Sequence, residues 1–260
     1  MIGRKAMRVF VGPTEVAGYY RNITVGLREI GVKADFITYQ SHPFGYGGET
    51  SQPLLLKAAN WFNQYRGIPG RSFFMKIVYS LPGEVFTAIW ALSAILRYQV
   101  FIFSFGRSLL PFGLDLPLLK FFGKKVISNL SHGSEARPPF INGVYQTKQG
   151  ISVDSKVLFH KGQKILQVMD RHFRYGSIVI GAPFSCQYAK MSFINSLALG
   201  IPVDVSGFGE AYSRESNKDD KKSVIRILHS PSRPIAKGSK SIIRAIENLK
   251  EKGYLIDFIL

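Results

Sequence analysis

Three short stretches gather the residue types that bind anions or move protons. "VGPTEVAGYYRNI" (11–23) follows an apolar run, and Gly12 and Gly18 bracket a loop leading straight into a helix. Unobstructed backbone amides at a helix start can hold an anion or ligand; the alternative is a tight turn with no ligand. "NLSHGSEARPPFING" (129–143) sets His132, Gly133, Ser134, Glu135 and Arg137 directly after another apolar run. A histidine there can donate to a sugar hydroxyl or pass a proton, because imidazole titrates near neutrality. The plainer alternative is a solvated loop in which His132 bonds only to backbone. "SPSRPIAKGSKS" (230–241) places Arg233, Lys237 and Lys240 around a helix start whose amides near Gly238 and Ser239 suit a diphosphate, or else forms an exposed basic turn.

Other chemistries lack their residues. There is no G-x-G-x-x-G, no G-x-x-x-x-G-K-[ST], no G-x-S-x-G and no H-E-x-x-H, which leaves dinucleotide, P-loop, serine-hydrolase and zincin readings unsupported. The only cysteine, Cys186, reads as a small core residue, and His42, His160, His172 and His229 are scattered, so no metal site is expected.

Elements that would position these loops follow from the apolar runs. Residues 8–12, 33–39, 99–105, 124–130, 177–181 and 201–205 are short, β-rich and continuously apolar, as strands buried on both faces are. Helical stretches lie between them at 19–30, 53–65, 72–97, 117–122, 154–175 and 188–199. That alternation predicts an α/β fold, a Rossmann-like parallel sheet, and puts the first two loops at the carboxyl ends of strands, where such folds bind ligands. Residues 1–206 then form one domain, the polar run 207–223 a linker, and 224–260 the opening of a second α/β unit. The apolar segment 85–106 is broken by Arg97, Tyr98 and Gln99, so it reads as a buried helix and a strand rather than a membrane span.

Composition narrows the partners. A net charge of +17 with 46% hydrophobic residues indicates a folded protein attracted to phosphates, acidic substrates or anionic lipid. The cations are spread along the chain without a recognition motif, which argues against nucleic acid and for a diffuse basic face towards a membrane. One cysteine and an N-terminal apolar run too short for a signal peptide point to the cytoplasm, with association at the inner membrane face.

Taken in order, three segments resemble family four glycosyltransferases, retaining enzymes of the GT-B type with two Rossmann-like domains. "GPTEVAGYYRNITVGLREIGVKADFIT" is similar to the first loop and helix of the acceptor domain. "FSFGRSLLPFGLDLPLLKFFGKKVISNLSHGSEAR" is similar to its central segment, and "ILHSPSRPIAKGSKSIIRAIENLKEKG" to the opening of the donor domain. The resemblance implies transfer of a sugar from a nucleotide-sugar donor to a glycan or lipid-linked acceptor with retention, in cell-surface polysaccharide or glycolipid synthesis, without a catalytic metal or cofactor. It implies His132 as the active-site histidine, Ala17 and Gly18 as the acceptor loop with Gly12, and Gly133, Glu135 and Arg137 on the acceptor side. Arg233, Lys237 and Gly238 would hold the donor diphosphate, although "SPSRP" departs from the family's usual Gly-Arg form. The family's Glu-rich donor motif has no counterpart before Leu260, so the expectation is a truncated transferase, inactive as these 260 residues alone. The alternative is a non-catalytic module that binds a glycan or lipid headgroup.

Overall fold

The computed structural model describes residues 7–40, 52–66, 68, 70, 72–142, 145–147, 150–151, 153–205, 224–231, 234–235 and 237–260. In chain order these form β1 (Arg8–Gly12), α1 (Tyr19–Glu29), β2 (Lys33–Phe36), α2 (Leu54–Arg66), α3 (Phe73–Arg97), β3 (Val100–Ser104), α4 (Leu116–Phe121) and β4 (Lys125–Leu130). There follow β5 (Gln146–Thr147), β6 (Gly150–Ile151), α5 (Ser155–Tyr175), β7 (Ile178–Gly181), β8 (Ile194–Asn195), α6 (Ser196–Leu199), β9 (Ile225–Leu228), α7 (Ser239–Glu251) and β10 (Ile256–Ile259). The chain divides into two compact units, Met1–Ile141 with Ser155–Asp204, and Asn142–Asp154 with Val205–Leu260.

The first unit is an α/β layer structure around a six-stranded sheet of order β2-β1-β3-β4-β7-β8, with every pair parallel. Both sheet faces are buried, and side-chain alternation shows how. Val9 and Val11 point to the face covered by α1, where they meet Tyr20 and Ala34. Phe10 points the other way, into a cluster with Trp90, Ala94, Tyr98, Phe101, Phe103 and Val126 under α3 and α4. Further along the sheet, Leu130 and Val179 pack with Met169 and Phe173 of α5. Continuous apolar strands are the sequence consequence of this two-sided cover.

Strand order reverses between β1 and β3: the chain steps outward from β1 to β2, then returns to place β3 on the other flank. In parallel α/β sheets the carboxyl edge at such a reversal is where ligands commonly bind.

Two expectations fail at the end of this unit. Residues 201–205, read as a strand, are irregular and mostly exposed, and the sixth strand is instead the two-residue β8. The helix read over 188–199 shrinks to the single turn of α6. The apolar side chains of 186–193 are used as loop packing: Cys186, Tyr188 and Phe193 fill the cluster beneath α5 without regular backbone. The segment 201–205 is tied to α1 by the Asn22 side-chain amide, which donates to the Pro202 carbonyl at 3.0 Å.

In the second unit, β9 and β10 pair in parallel across α7, whose Ile246 is buried, as is Ile256 of β10. β5 and β6 form a short antiparallel hairpin that the sequence did not signal. Residues 207–223, read as a linker, lie outside the described residues.

Candidate functional site

The loop between β1 and α1 is fixed by two features. Gly12 has φ 152°, and a Cβ there would stand 2.1 Å from the Ile37 carbonyl oxygen, so only glycine fits. The Thr14 amide donates to Ser104 Oγ at 2.8 Å, which ties this loop to the end of β3 across the strand-order reversal. Ala17 and Gly18 are both left-handed, at φ 52° and 83°, and turn the chain into α1.

The orphan amides of α1 do not await a ligand. Glu15, 4% exposed, accepts from the amides of Val16 at 2.6 Å, Tyr20 at 3.2 Å and Arg21 at 2.9 Å. Its carboxylate occupies the position an external anion would take, and completes the helix start in the way a capping side chain does. What this loop can offer a ligand is therefore shape and the backbone of Ala17 and Gly18, not a vacant anion hole.

Capping α1 in this way fixes Tyr20, and Tyr20 fixes His132. The Tyr20 hydroxyl lies 2.7 Å from His132 Nε2, with the tyrosine fully buried and the histidine half-buried. The hydroxyl and the ring nitrogen share this hydrogen bond, and which of them donates follows from the imidazole tautomer. Tyr19, at 5.1 Å between ring centroids, and Phe105, stacked at 6.3 Å, wall the ring. Burial lowers the His132 pKa from the ordinary 6.5 to about 4, so the ring is neutral at neutral pH. Burial likewise pushes the Tyr20 hydroxyl well above its ordinary range.

From below, the loop carrying His132 is held by Glu135. Its Oε1 accepts from the amides of His132 at 2.7 Å and Gly133 at 3.0 Å, while its buried Oε2 has no hydrogen-bond partner among the described residues. Burial raises the Glu135 pKa against those amide bonds. Arg137 lies against the loop: a Cβ on Gly133 would come within 3.2 Å of its guanidinium, so the glycine makes room for the arginine. Gly12, Ala17, Gly18, His132, Gly133, Glu135 and Arg137 thus belong to one unit, and the first turn of α1 meets the loop after β4 through Tyr19, Tyr20 and His132.

Sequence reasoning missed Glu15, Tyr20, Ser104 and Phe105. The acidic residue three positions ahead of Gly18, in a helix start with no other capping side chain, was the available signal for Glu15. No sequence spacing links Tyr20 to a histidine 112 residues away. His172, by contrast, is structural: buried beneath the sheet, it shares a 2.7 Å hydrogen bond with Ser128, and burial lowers its pKa to about 4.

In the second unit Arg233 lies outside the described residues. Lys237 is exposed and Gly238 is left-handed at φ 68° as the residue before α7. The amides of Gly238 and Ser239, expected to face a diphosphate, donate instead to the carbonyls of Ile235 at 3.3 Å and Pro234 at 3.0 Å. They close the turn on itself, and Ser239 Oγ pairs with His229 Nε2 at 2.8 Å. Charge from Lys237 is what this turn presents to an anion.

Among the described residues no group of three or more His, Cys, Asp or Glu side chains is arranged to hold a metal ion. Comparisons with protein-family models, with curated proteins and with solved structures each found no match.

Proposed function

We propose that this chain carries the acceptor-side unit of a retaining glycosyltransferase of the GT-B type, followed in the chain by the opening of the donor-side unit. The observation that carries the reading is the His132–Tyr20 pair, a neutral imidazole held in place by a buried hydroxyl, at the carboxyl edge next to the strand-order reversal. A neutral imidazole held in one orientation suits a sugar hydroxyl better than it suits a phosphate.

In this reading the acceptor hydroxyl replaces a nucleoside diphosphate at the anomeric carbon with retention. His132 hydrogen-bonds a hydroxyl of the transferred sugar through Nδ1 and fixes its ring. Ala17 and Gly18 shape the floor, and Gly133, Glu135 and Arg137 hold the histidine loop. Negative charge that develops on the departing diphosphate is stabilised by Lys237 and Arg233 at the start of α7, in place of a metal ion. The acceptor is a glycan or a lipid-linked sugar met at an anionic membrane from the cytoplasmic side.

The test is ligand-observed NMR with a panel of nucleotide sugars and free glycans on the wild-type chain, His132→Ala and Lys237→Ala. Saturation transfer to the sugar-ring protons is expected to vanish in His132→Ala, and broadening of the diphosphate phosphorus lines to vanish in Lys237→Ala. Glycan binding with no response to any nucleotide sugar would replace this reading with that of a non-catalytic glycan-binding module.

A further inference from the structure

Helix α3 is apolar on more of its surface than its packing uses. One face is core: Trp90, Ala91, Ala94 and Ile95 are buried and share a cluster with Phe10 and Phe101. That same side takes α2, since a Cβ on Gly83 would stand 3.1 Å from Asn63 Oδ1 and 3.3 Å from the Ala59 carbonyl oxygen. The opposite face carries Phe74, Leu81, Val85, Ile89, Leu92 and Leu96, all exposed, with Leu81 at 65% and Leu92 at 56%. At 3.6 residues per turn these positions fall within about one quarter of the circumference, and at 1.5 Å per residue the stripe runs about 33 Å. Contiguous apolar surface of that extent marks a docking surface.

What covers it follows from three observations. Residues Ile77–Arg97 have a mean hydropathy of 1.3, high enough for a membrane span, and 28% of that window is buried. Spanning would tear Trp90, Ala91, Ala94 and Ile95 out of the core, so the helix can meet lipid only sidewise, along its length. The stripe is aliphatic and phenylalanine side chains throughout, without the Tyr, Trp or Arg anchors that concentrate binding energy at protein interfaces, and a fluid apolar medium asks for no such complementarity. The segment 54–97 carries Lys57, Arg66, Arg71, Lys76 and Arg97 against a single carboxylate, Glu84, in a chain of net charge +17. A net basic segment bearing an apolar stripe matches an anionic headgroup layer.

We propose that the outward face of α3 seats the protein on an anionic lipid bilayer, the helix lying in the interface plane with its apolar stripe among the acyl-chain segments next to the headgroups. The contacts of His132 are with Tyr19, Tyr20 and Phe105 rather than with α3, and the proposal does not depend on the transferase reading. Neither of the expectations from sequence, a wholly buried helix or a generally basic face, identified it.

The experiment is co-sedimentation of the 260-residue chain with vesicles of phosphatidylcholine alone or mixed with phosphatidylglycerol. Wild type is expected to sediment with the mixed vesicles and much less with the neutral ones. The double variant L81E/L92E places two charges on exposed positions and is expected to weaken that partitioning at least roughly tenfold, with its melting temperature unchanged. Should that variant fold poorly, Val85→Trp reads the same surface gently: its added emission shifts to the blue on the mixed vesicles if the stripe enters the bilayer. Absence of wild-type sedimentation, unchanged binding by a folded L81E/L92E, or no blue shift in Val85→Trp overturns the proposal. So does self-association of the wild type that L81E/L92E abolishes without any lipid binding, which would make a second copy the occupant.

Discussion

The starts of α1 and α7 are built on one pattern and end up chemically opposite. Each helix follows a strand and a polar loop, and each is preceded by a left-handed glycine, Gly18 at φ 83° and Gly238 at φ 68°. At α1 the free amides are answered by the buried carboxylate of Glu15, and the neighbouring tyrosine is locked against His132. At α7 the turn closes on its own carbonyls, and the ionic group beside it, Lys237, stands in solvent. An internal carboxylate at the first turn repels a phosphate, whereas a solvated cation at the second attracts one. The pair thus divides the proposed work: hydroxyl recognition where the charge is internally balanced, diphosphate recognition where it is not.

Rigidity should differ between the two turns, and glycine substitutions measure it. Gly12→Ala sets a methyl 2.1 Å from a backbone oxygen, which no rotamer relieves. It is expected to cost more than about 4 kcal/mol or prevent folding, as seen for buried strain at special backbone positions. Gly238→Ala meets nothing within 4 Å and only the left-handed backbone cost of about 1 kcal/mol. Denaturant melts of the two variants that gave equal losses would erase the contrast between a packed turn and an open one.

Acid should loosen the first unit next. His132 and His172 have folded pKa values lowered by burial from 6.5 to about 4, so the unfolded chain holds more protons between those limits. Their contribution to stability is complete above the unfolded value and is lost as pH falls from about 6.5 towards 4, at up to about 1.4 kcal/mol per pH unit for each. Buried Asp115 and Glu135, with raised pKa values, act in the opposite sense, which makes residue-level titration the right readout. By NMR the imidazole signals of both histidines are expected to stay flat down to about pH 5.5, far below where a free imidazole begins to titrate. A midpoint near 6.5 for His132 would mean that its ring is not shielded as the Tyr20 contact requires.

A smaller loss is expected from Glu15→Ala. It removes the acceptor for three amides, two of them in the first turn of α1, and should cost about 2 kcal/mol in a chemical melt. The same variant vacates an anion position, so phosphate should stabilise it more than it stabilises the wild type.

How far these features were legible in the sequence depends on how local their causes are. The strands 8–12 and 125–130 announce themselves because both faces of a parallel strand are buried and apolar residues follow one another without strict alternation. The run 201–205 has the same composition and is exposed loop, since composition reports what a strand tolerates and not whether a neighbour is there to pair with it. The loops at 12–18 and 132–137 were visible as places where chemistry could gather, and the fold brings them together. Their working parts were not visible: Tyr20 reaches His132 only because β1 and β4 flank β3, which is a fact of strand order and not of spacing. The outward face of α3 hid for a related reason, because a helix apolar on every side reads as buried until its packing partners are known.

The weakest effect tests the second turn most directly. Lys237 is exposed, and exposed ammonium groups contribute little to folding, so Lys237→Ala should leave stability within about 0.5 kcal/mol of wild type. If the α7 turn serves a diphosphate, the same substitution removes one charge-assisted contact, worth roughly five- to tenfold in affinity for a nucleotide sugar and for free pyrophosphate alike. High salt should shrink that difference, as it does for any solvent-exposed charge. His132→Ala, set beside it, should leave pyrophosphate binding unchanged and weaken only ligands that carry a sugar. A Lys237→Ala chain that binds pyrophosphate as well as the wild type would remove the division of labour between the two turns and leave α7 as a helix with a basic, solvated start.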